Sequence, residues 1–283
     1  MIKLIECPRD AMQGLPVFID TAIKAAYINQ LLEVGFDTVD FGSFVSPKAV
    51  PQLRDTAEVL ELLDLHQSKS KLLAIVANVR GASDALLFPQ IDYLGFPLSA
   101  SETFQQRNTN ASIGKALGMV EEIQNLCEVK GKTLVTYLSM GFGNPYGDPY
   151  SAEVIAGLVE KLDQLEVKIV SLSDTVGLAS PDSIKKLLQA QISEFPHIEF
   201  GAHLHSRADS IAEKINAGVE VGCRRFDGAL VGFGGCPMAD DELVGNIATE
   251  SMIECLESKG YELNLNKTEL AEALKLAKFV FNQ

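Results

Sequence analysis

The chain has 283 residues, 47% hydrophobic and 22% charged, the balance of an ordinary soluble globular protein. Its 24 Lys and Arg against 38 Asp and Glu leave a formal net charge of −14, which argues against nucleic acid or an anionic membrane surface as a partner, because either calls for a basic footprint. No linker, low-complexity tract or composition shift interrupts the chain, so residues 1–283 are expected to form a single domain with an extensive core.

Short β-rich runs alternate with longer helical patterns from one end to the other. The first strand is predicted at Ile2 to Glu6, and no helix is expected until about Asp20 to Val34, where Asp20 or Thr21 supplies the cap and Gly35 the stop. Strand two, Thr38 to Phe41, leads into Ser43-Phe-Val-Ser-Pro-Lys48 and a helix from about Pro51 to Leu65. Strand three is Lys71 to Ala77, with a short helix near Gly81. Strand four is Ile91 to Phe96, with its helix at about Ile113 to Val129. Strand five, Lys132 to Leu138, runs into a glycine-rich loop, Met140 to Gly147, and a helix from about Ser151 to Leu165. Strand six is Val167 to Leu172, with a helix from about Pro181 to Glu194. Strand seven, from His197, ends at His203-Leu-His205, and its helix covers about Asp209 to Ala217. Strand eight, Arg224 to Ala229, is followed by Gly232-Phe-Gly-Gly-Cys-Pro237 and a helix from about Asp241 to Leu256. An added helix, Lys267 to Phe281, closes the chain.

Strict alternation of eight strand–helix units implies parallel strands, since each crossover carries a helix. A dinucleotide-binding open sheet would need Gly-x-Gly-x-x-Gly at its first turn, and Cys7-Pro-Arg-Asp-Ala-Met-Gln-Gly14 is not that cradle. The fold class is therefore α/β, a (β/α)8 TIM barrel with an additional C-terminal helix. That helix is expected either to close the barrel floor or to form an interface.

Cys7, Cys127, Cys223, Cys236 and Cys255 are scattered and odd in number, unlike a disulfide framework or a zinc knuckle. Reduced thiols, a first segment unlike a signal peptide and the lack of a membrane-length apolar run all lead us to expect a cytoplasmic protein without a membrane partner.

In this architecture chemistry sits at the C-terminal ends of the strands. The candidates there are Glu6, Arg9, Asp10, Asp40, Ser43, Ser139, Ser173, Asp174, His203, His205, Cys236 and Asn246. Helix capping alone accounts for Asp174, but it does not account for Arg9-Asp10 or for two histidines on one strand face. Asp10, His203 and His205 offer one oxygen and two nitrogens, a common divalent-metal set with open positions. Arg9 beside it could stabilise an enolate or oxyanion. Cys236, in Gly-Gly-Cys-Pro, is either a packed turn residue or a group that moves a proton.

These residues fall in stretches that resemble the 3-hydroxy-3-methylglutaryl-CoA (HMG-CoA) lyase family. The landmarks are Glu6-Cys-Pro-Arg-Asp-Ala-Met-Gln13, Ser43-Phe-Val-Ser-Pro-Lys48, Ser171-Leu-Ser-Asp-Thr-Val-Gly177, His203-Leu-His205, Gly232-Phe-Gly-Gly-Cys-Pro237 and Gly245-Asn-Ile-Ala-Thr-Glu250. The resemblance implies a carbon–carbon lyase that splits an acyl-CoA substrate by retro-Claisen cleavage, as in leucine degradation, and a homodimer. It implies Mg2+ or Mn2+ on Asp10, His203, His205 and Asn246. Arg9 would steady the enolate, Cys236 would assist proton transfer from a loop, and Asp10 or His203 would relay the hydroxyl proton. Ser43, Ser139 and Asp174 match positions that line the substrate site, and Glu6 and Glu250 match supporting positions. Asp40, counted with the catalytic group, stands where the family carries a glutamate. Ser206, Asn144, Ser251 and the acidic run Met238 to Val244 also depart from the pattern. Two other readings are a related lyase or aldolase acting on a different 3-hydroxy-acyl-CoA or a 2-oxo acid aldol, and a barrel that binds a CoA ester without turning it over.

Overall fold

The computed structural model describes residues 1–234 and 244–281. In chain order the elements are β1 Lys3–Glu6, α1 Pro8–Gln13, α2 Thr21–Val34, β2 Thr38–Ser43, α3 Thr56–Glu61, β3 Lys71–Ile75, α4 Val79–Ala85, β4 Ile91–Ser99, α5 Glu102–Thr109 and α6 Ile113–Lys130. They continue as β5 Thr133–Ser139, α7 Ala152–Gln164, β6 Ile169–Asp174, α8 Pro181–Glu194, β7 Glu199–Leu204, α9 Ile211–Glu220, β8 Arg225–Gly228, α10 Thr249–Ser258 and α11 Lys267–Phe281. Every strand pairs in parallel with its neighbours, and β8 returns to β1, closing the eight-stranded barrel. The predicted α/β barrel with an extra C-terminal helix is the fold that forms.

Local chemistry sets the element ends. Asp20 accepts a hydrogen bond from the Ala22 amide at the start of α2, and Gly35 ends that helix at φ 85°. Ser180 and Ser183 cap α8 reciprocally, with Pro181 at its first turn. Strand side chains alternate between two layers. One set, including Leu72, Leu94, Leu134 and Val170, packs outward against the helices. The other set, Leu73, Tyr93, Val135, Tyr137 and Ile169, fills the barrel. Lys3 and Glu199, 2.7 Å apart, and the buried Arg225 lie at the N-terminal end, so the cavity described below belongs to the C-terminal end.

Five sequence expectations need correction. Arg9 and Asp10 lie within α1, a helix not expected ahead of the one at Asp20, and Pro8 supplies its pre-set first turn. The single helix expected from Pro51 to Leu65 is a 3-10 turn at Pro51–Leu53 followed by the short α3. A helix was not expected at α5, whose composition is mostly polar. The helix expected from Asp241 starts at Thr249. Cys236 and Met238 to Leu243 lie outside the described residues, and Asn246 and Ala248 instead bridge to His205 and Ala229. The C-terminal helix does not form the floor. It packs beside α2, with Gln30 Nε2 donating to Glu269 Oε2 at 2.8 Å, and its last residue, Phe281, stacks on Phe233 at the barrel mouth.

Candidate active site

Helix α1 runs across the mouth of the barrel and presents Arg9, Asp10 and Gln13 on one side, at spacings that share a helix face. Arg9 Nε donates to Asp40 Oδ2 at 3.0 Å and Nη2 donates to the same oxygen at 2.5 Å. Arg9 Nη1 donates to Asp10 Oδ1 at 2.8 Å and to Gln13 Oε1 at 3.0 Å. A guanidinium carries five N–H donors, and these contacts use four. One N–H on Nη2 is left for a ligand. Burial works against the Arg9 charge, but Asp40 and Asp10 hold the guanidinium firmly protonated. Asp40 is fully enclosed. Burial lifts its carboxyl to about 6 even beside Arg9, which still leaves the pair ionised at neutral pH.

Asp10 is braced on both oxygens. Gln13 Nε2 donates to Oδ1 at 2.8 Å, and Asn246 Nδ2 donates to Oδ2 at 2.7 Å. Burial would raise its pKa, but Arg9, His203 and Asn246 together pull it down to about 2. Asn246 also donates to the Phe233 carbonyl at 3.0 Å, which leaves its own Oδ1 as the atom it can offer. The loop after β8 comes this close because of Gly234, at φ 101°, where a Cβ would sit 2.5 Å from Asn246 Nδ2.

His203 and His205 both project from the end of β7 to the same side, their ring centroids 5.4 Å apart. His203 Nδ1 lies 3.2 Å from Asp227 Oδ2, the carboxylate–histidine arrangement that orients a metal-binding ring and frees its other nitrogen. Burial disfavours the charged form of His203, but the hydrogen bond and charge of Asp227 prevail and raise its pKa. Burial keeps His205 neutral, with a pKa of about 4, and its Nδ1 is buried with no hydrogen-bond partner.

Ligand atoms of Asp10, His203 and His205 all lie within 4.8 Å of one another. An ionised carboxylate, a neutral imidazole with an orphaned lone pair and a second imidazole braced by Asp227 fit a divalent cation with open coordination positions. Cys7, His203 and Asp227 also cluster, but Asp227 already takes the shared histidine and burial raises the Cys7 thiol far above the thiolate range. Asp10, His203 and His205 are therefore the better fit of the two for a cation.

A cavity of about 180 Å³ opens over these groups. Arg9, Asp10, Ser43, Ser139, His203 and His205 line it, together with apolar Val45, Ile75, Pro97, Phe104 and Tyr137. Asp40 and Asn246 stand behind the lining, bonded to Arg9 and Asp10, and three more expected site residues lie further away. Asp174 sits below it, paired with Lys214 at 3.0 Å, and that lysine also donates to the His205 carbonyl at 2.7 Å. Glu6 lies behind β1, accepting from the Leu230 amide at 2.8 Å and the Thr249 hydroxyl at 2.6 Å. Glu250 accepts from the Val231 amide. Cys236 falls outside the described residues. Sequence reasoning did not give roles to Gln13, Asp227 or Tyr137. The one available signal was position, since Gln13 follows Arg9 by one helical turn and Asp227 stands at the end of the eighth strand.

The site can bind an oxygen-rich anion at a cation and offer Arg9 to a developing negative charge. Comparison with known proteins agrees with that chemistry. Hydroxymethylglutaryl-CoA lyase YngG of Bacillus subtilis is 34% identical over 269 residues, covering 95% of this chain and 89% of the relative. The crystal structure of the Bacillus subtilis HMG-CoA lyase superposes with a TM-score of 0.93 at 31% identity, covering 100% of this chain and 94% of that one. An HMG-CoA lyase from Acinetobacter baumannii, solved with coenzyme A and 3-methylmalate, gives a TM-score of 0.92 at 30% identity, covering 100% and 92%. The HMGL-like family model matches residues 2–277, and the chain belongs to that family.

Proposed function

We propose that this protein is a divalent-metal-dependent carbon–carbon lyase that cleaves 3-hydroxy-3-methylglutaryl-CoA to acetyl-CoA and acetoacetate. The observation that carries this reading is the meeting of Arg9 with Asp10, His203 and His205 over one cavity at the barrel mouth. Asp10, His203, His205 and Asn246 would hold the cation, taken as Mg2+ or Mn2+. When bound, the cation lowers the pKa of a hydroxyl placed beside it, so that a weak base can remove the proton.

Asp10 or His203 takes that proton: Asp10 is held ionised beside Arg9, and His203 is held at Nδ1 by Asp227. Loss of the C3 hydroxyl proton turns C3 into a ketone as the C2–C3 bond breaks, and the bonding pair moves into the thioester enolate. The free N–H of Arg9 faces that enolate oxygen and stabilises its charge. Asp40 keeps the guanidinium from turning away. Ser43 and Ser139 line the cavity and offer hydroxyls to the substrate. Cys236, placed by family resemblance on the loop after β8, returns a proton to C2. Asp174, through Lys214, supports the backbone of His205 from below. Glu6 and Glu250 anchor the segments leading into the 230s loop.

We take the chain as one catalytic domain because no linker interrupts it, as acting in leucine degradation and homodimeric on the family resemblance, and as cytoplasmic on its scattered cysteines and its lack of a membrane-length apolar run. Among the described residues no helix is long and apolar enough to cross a membrane. The test is product analysis: incubation with 3-hydroxy-3-methylglutaryl-CoA should release acetyl-CoA and acetoacetate in equal amounts. Free coenzyme A with an intact six-carbon acid would mean thioester hydrolysis and would overturn the assignment.

A further inference from the structure

One wall of the cavity is α5, and α5 is a weak helix on its own terms. It has eight residues and buries Phe104 and Gln105. Isolated helices shorter than about 12–15 residues are marginal in water, so contacts from outside must fix where this one sits. Its placement matters to the site, because Phe104, Asn108 and Thr109 line the same space as Arg9, Asp10, His203 and His205.

Those contacts come from the loop after β5. Asp148 reaches the first turn of α5 with both oxygens. Ser101 Oγ donates to Oδ2 at 2.5 Å, the Thr103 amide donates to the same oxygen at 2.8 Å, and Thr103 Oγ1 donates to Oδ1 at 2.9 Å. Ser101 Oγ in turn accepts from the Phe104 amide at 3.1 Å, so one carboxylate holds both the cap and the turn it caps. Negative charge is favoured at this end of a helix, and the Ser101 and Thr103 donors keep the Asp148 carboxyl below the usual carboxylate range. Asn144 shapes the loop that carries Asp148. Its Oδ1 accepts from the Tyr146 and Asp148 amides, each at 3.1 Å, and its Nδ2 donates to the Asp148 carbonyl at 3.1 Å. Tyr146, held between them, stacks on Phe104 with ring centroids 6.4 Å apart and planes 18° apart. The Arg107 guanidinium lies over the Tyr146 ring, 4.6 Å from its centroid. The loop therefore grips α5 at its first turn and again along its length. Asn144 is a position where this chain departs from the family pattern, and the latch is built on it.

We propose that Asp148 is a positioning residue that sets acyl selectivity: it fixes α5, and α5 fixes the Phe104 wall against the acyl group. This rests on the acyl-thioester reading given above. An apolar wall separates ligands that differ by one methylene by about 10- to 200-fold, and only while it stays in place. Asp148 touches neither the cavity nor the groups that line it for chemistry, so its effect falls on fit and not on the bond-breaking step.

The experiment uses free acids, so that it does not depend on turnover. 3-Hydroxy-3-methylglutarate and its 3-ethyl homologue are titrated calorimetrically into Mn2+-loaded wild type, Asp148→Ala and Asp148→Asn, and amide hydrogen exchange is followed across α5. Wild type should bind the methyl acid about tenfold more tightly than the ethyl acid. Asp148→Ala should bring that ratio close to one and speed exchange in α5 at least about tenfold, while the barrel strands exchange as in wild type. Asp148→Asn keeps an acceptor for the Thr103 amide and should retain the wild-type ratio to within about threefold. With the coenzyme A thioester, Asp148→Ala should act mainly through KM, raising it about tenfold. An unchanged ratio in Asp148→Ala, whether or not α5 loosens, would overturn the proposal. Selective, Asp148-dependent binding by a wild type that cleaves no thioester would sink the lyase reading and leave the positioning role standing. Binding of neither acid would overturn both.

Discussion

Asp40 holds Arg9 at two points: Nε and Nη2 of the guanidinium both donate to Oδ2, at 3.0 and 2.5 Å, behind the cavity wall. The aspartate is fully buried, so the extra methylene of a glutamate has no space to enter. Asp40→Glu should therefore lower kcat/KM about tenfold, although glutamate is the family residue at this position. Asp40→Asn should do worse, because it leaves a buried guanidinium half-paired, at a cost of about 3–5 kcal/mol in stability. Urea denaturation alongside turnover separates the two effects. A glutamate variant with improved turnover would contradict this packing.

Gln13 closes a ring of hydrogen bonds with Arg9 and Asp10. Gln13→Ala leaves one donor of Arg9 and one oxygen of Asp10 short of a partner. Turnover should fall about 10- to 100-fold while the melting temperature stays close to wild type, since Gln13 is only partly buried. Unchanged kcat would show that α1 alone positions the pair.

Asp227 fixes the ring of His203 from below. Asp227→Asn should weaken Mn2+ binding about 10- to 100-fold, measured by titration of the free-ion paramagnetic resonance signal. An unchanged affinity would remove His203 from the metal set.

Glu6 gives a stability signature independent of turnover. Burial, opposed by its bonds to Thr249 and Leu230, raises its pKa from 4.5 to about 8. The folded protein therefore keeps a proton that the unfolded chain loses above about pH 4.5. This contribution is fully present below that pH, declines as pH rises and is gone once pH passes about 8. Its size is on the order of 5 kcal/mol. Glutamine reproduces the protonated form, so the melting temperature of Glu6→Gln relative to wild type should climb between pH 5 and 9. A constant difference across that range would mean that Glu6 is ionised in the fold.

Much of the barrel was legible because crossover helices follow parallel strands with a regular rhythm. The bounds of α8 and α11 were read as they occur, since Ser180-Pro181 and the apolar spacing from Leu270 to Val280 mark them locally. α1 was not legible: six residues give too little periodicity to reveal a helix, and Pro8 reads equally as a turn. The helix expected at Asp241 failed for the opposite reason, because acidic residues suited to a first turn precede a segment that pairs with β7 and β8 instead. In the site, Asp10, His203 and His205 were readable from type and spacing. Asp227 was not, because its role depends on β7 and β8 lying side by side. Asp174 looked like a substrate contact from its place at a strand end, yet Lys214, 40 residues away, draws it beneath His205.

Metal-dependent cleavage on this barrel rests on Asp10, His203 and His205. The most direct measurement is acetoacetate release from 3-hydroxy-3-methylglutaryl-CoA by chelated protein, before and after adding Mg2+ or Mn2+. Turnover should be absent after chelation and return with either ion. It should stay absent in His203→Ala and fall about 100- to 1,000-fold in Arg9→Gln. Acetoacetate release that survives chelation, or a folded and metal-loaded protein that releases none, would contradict it.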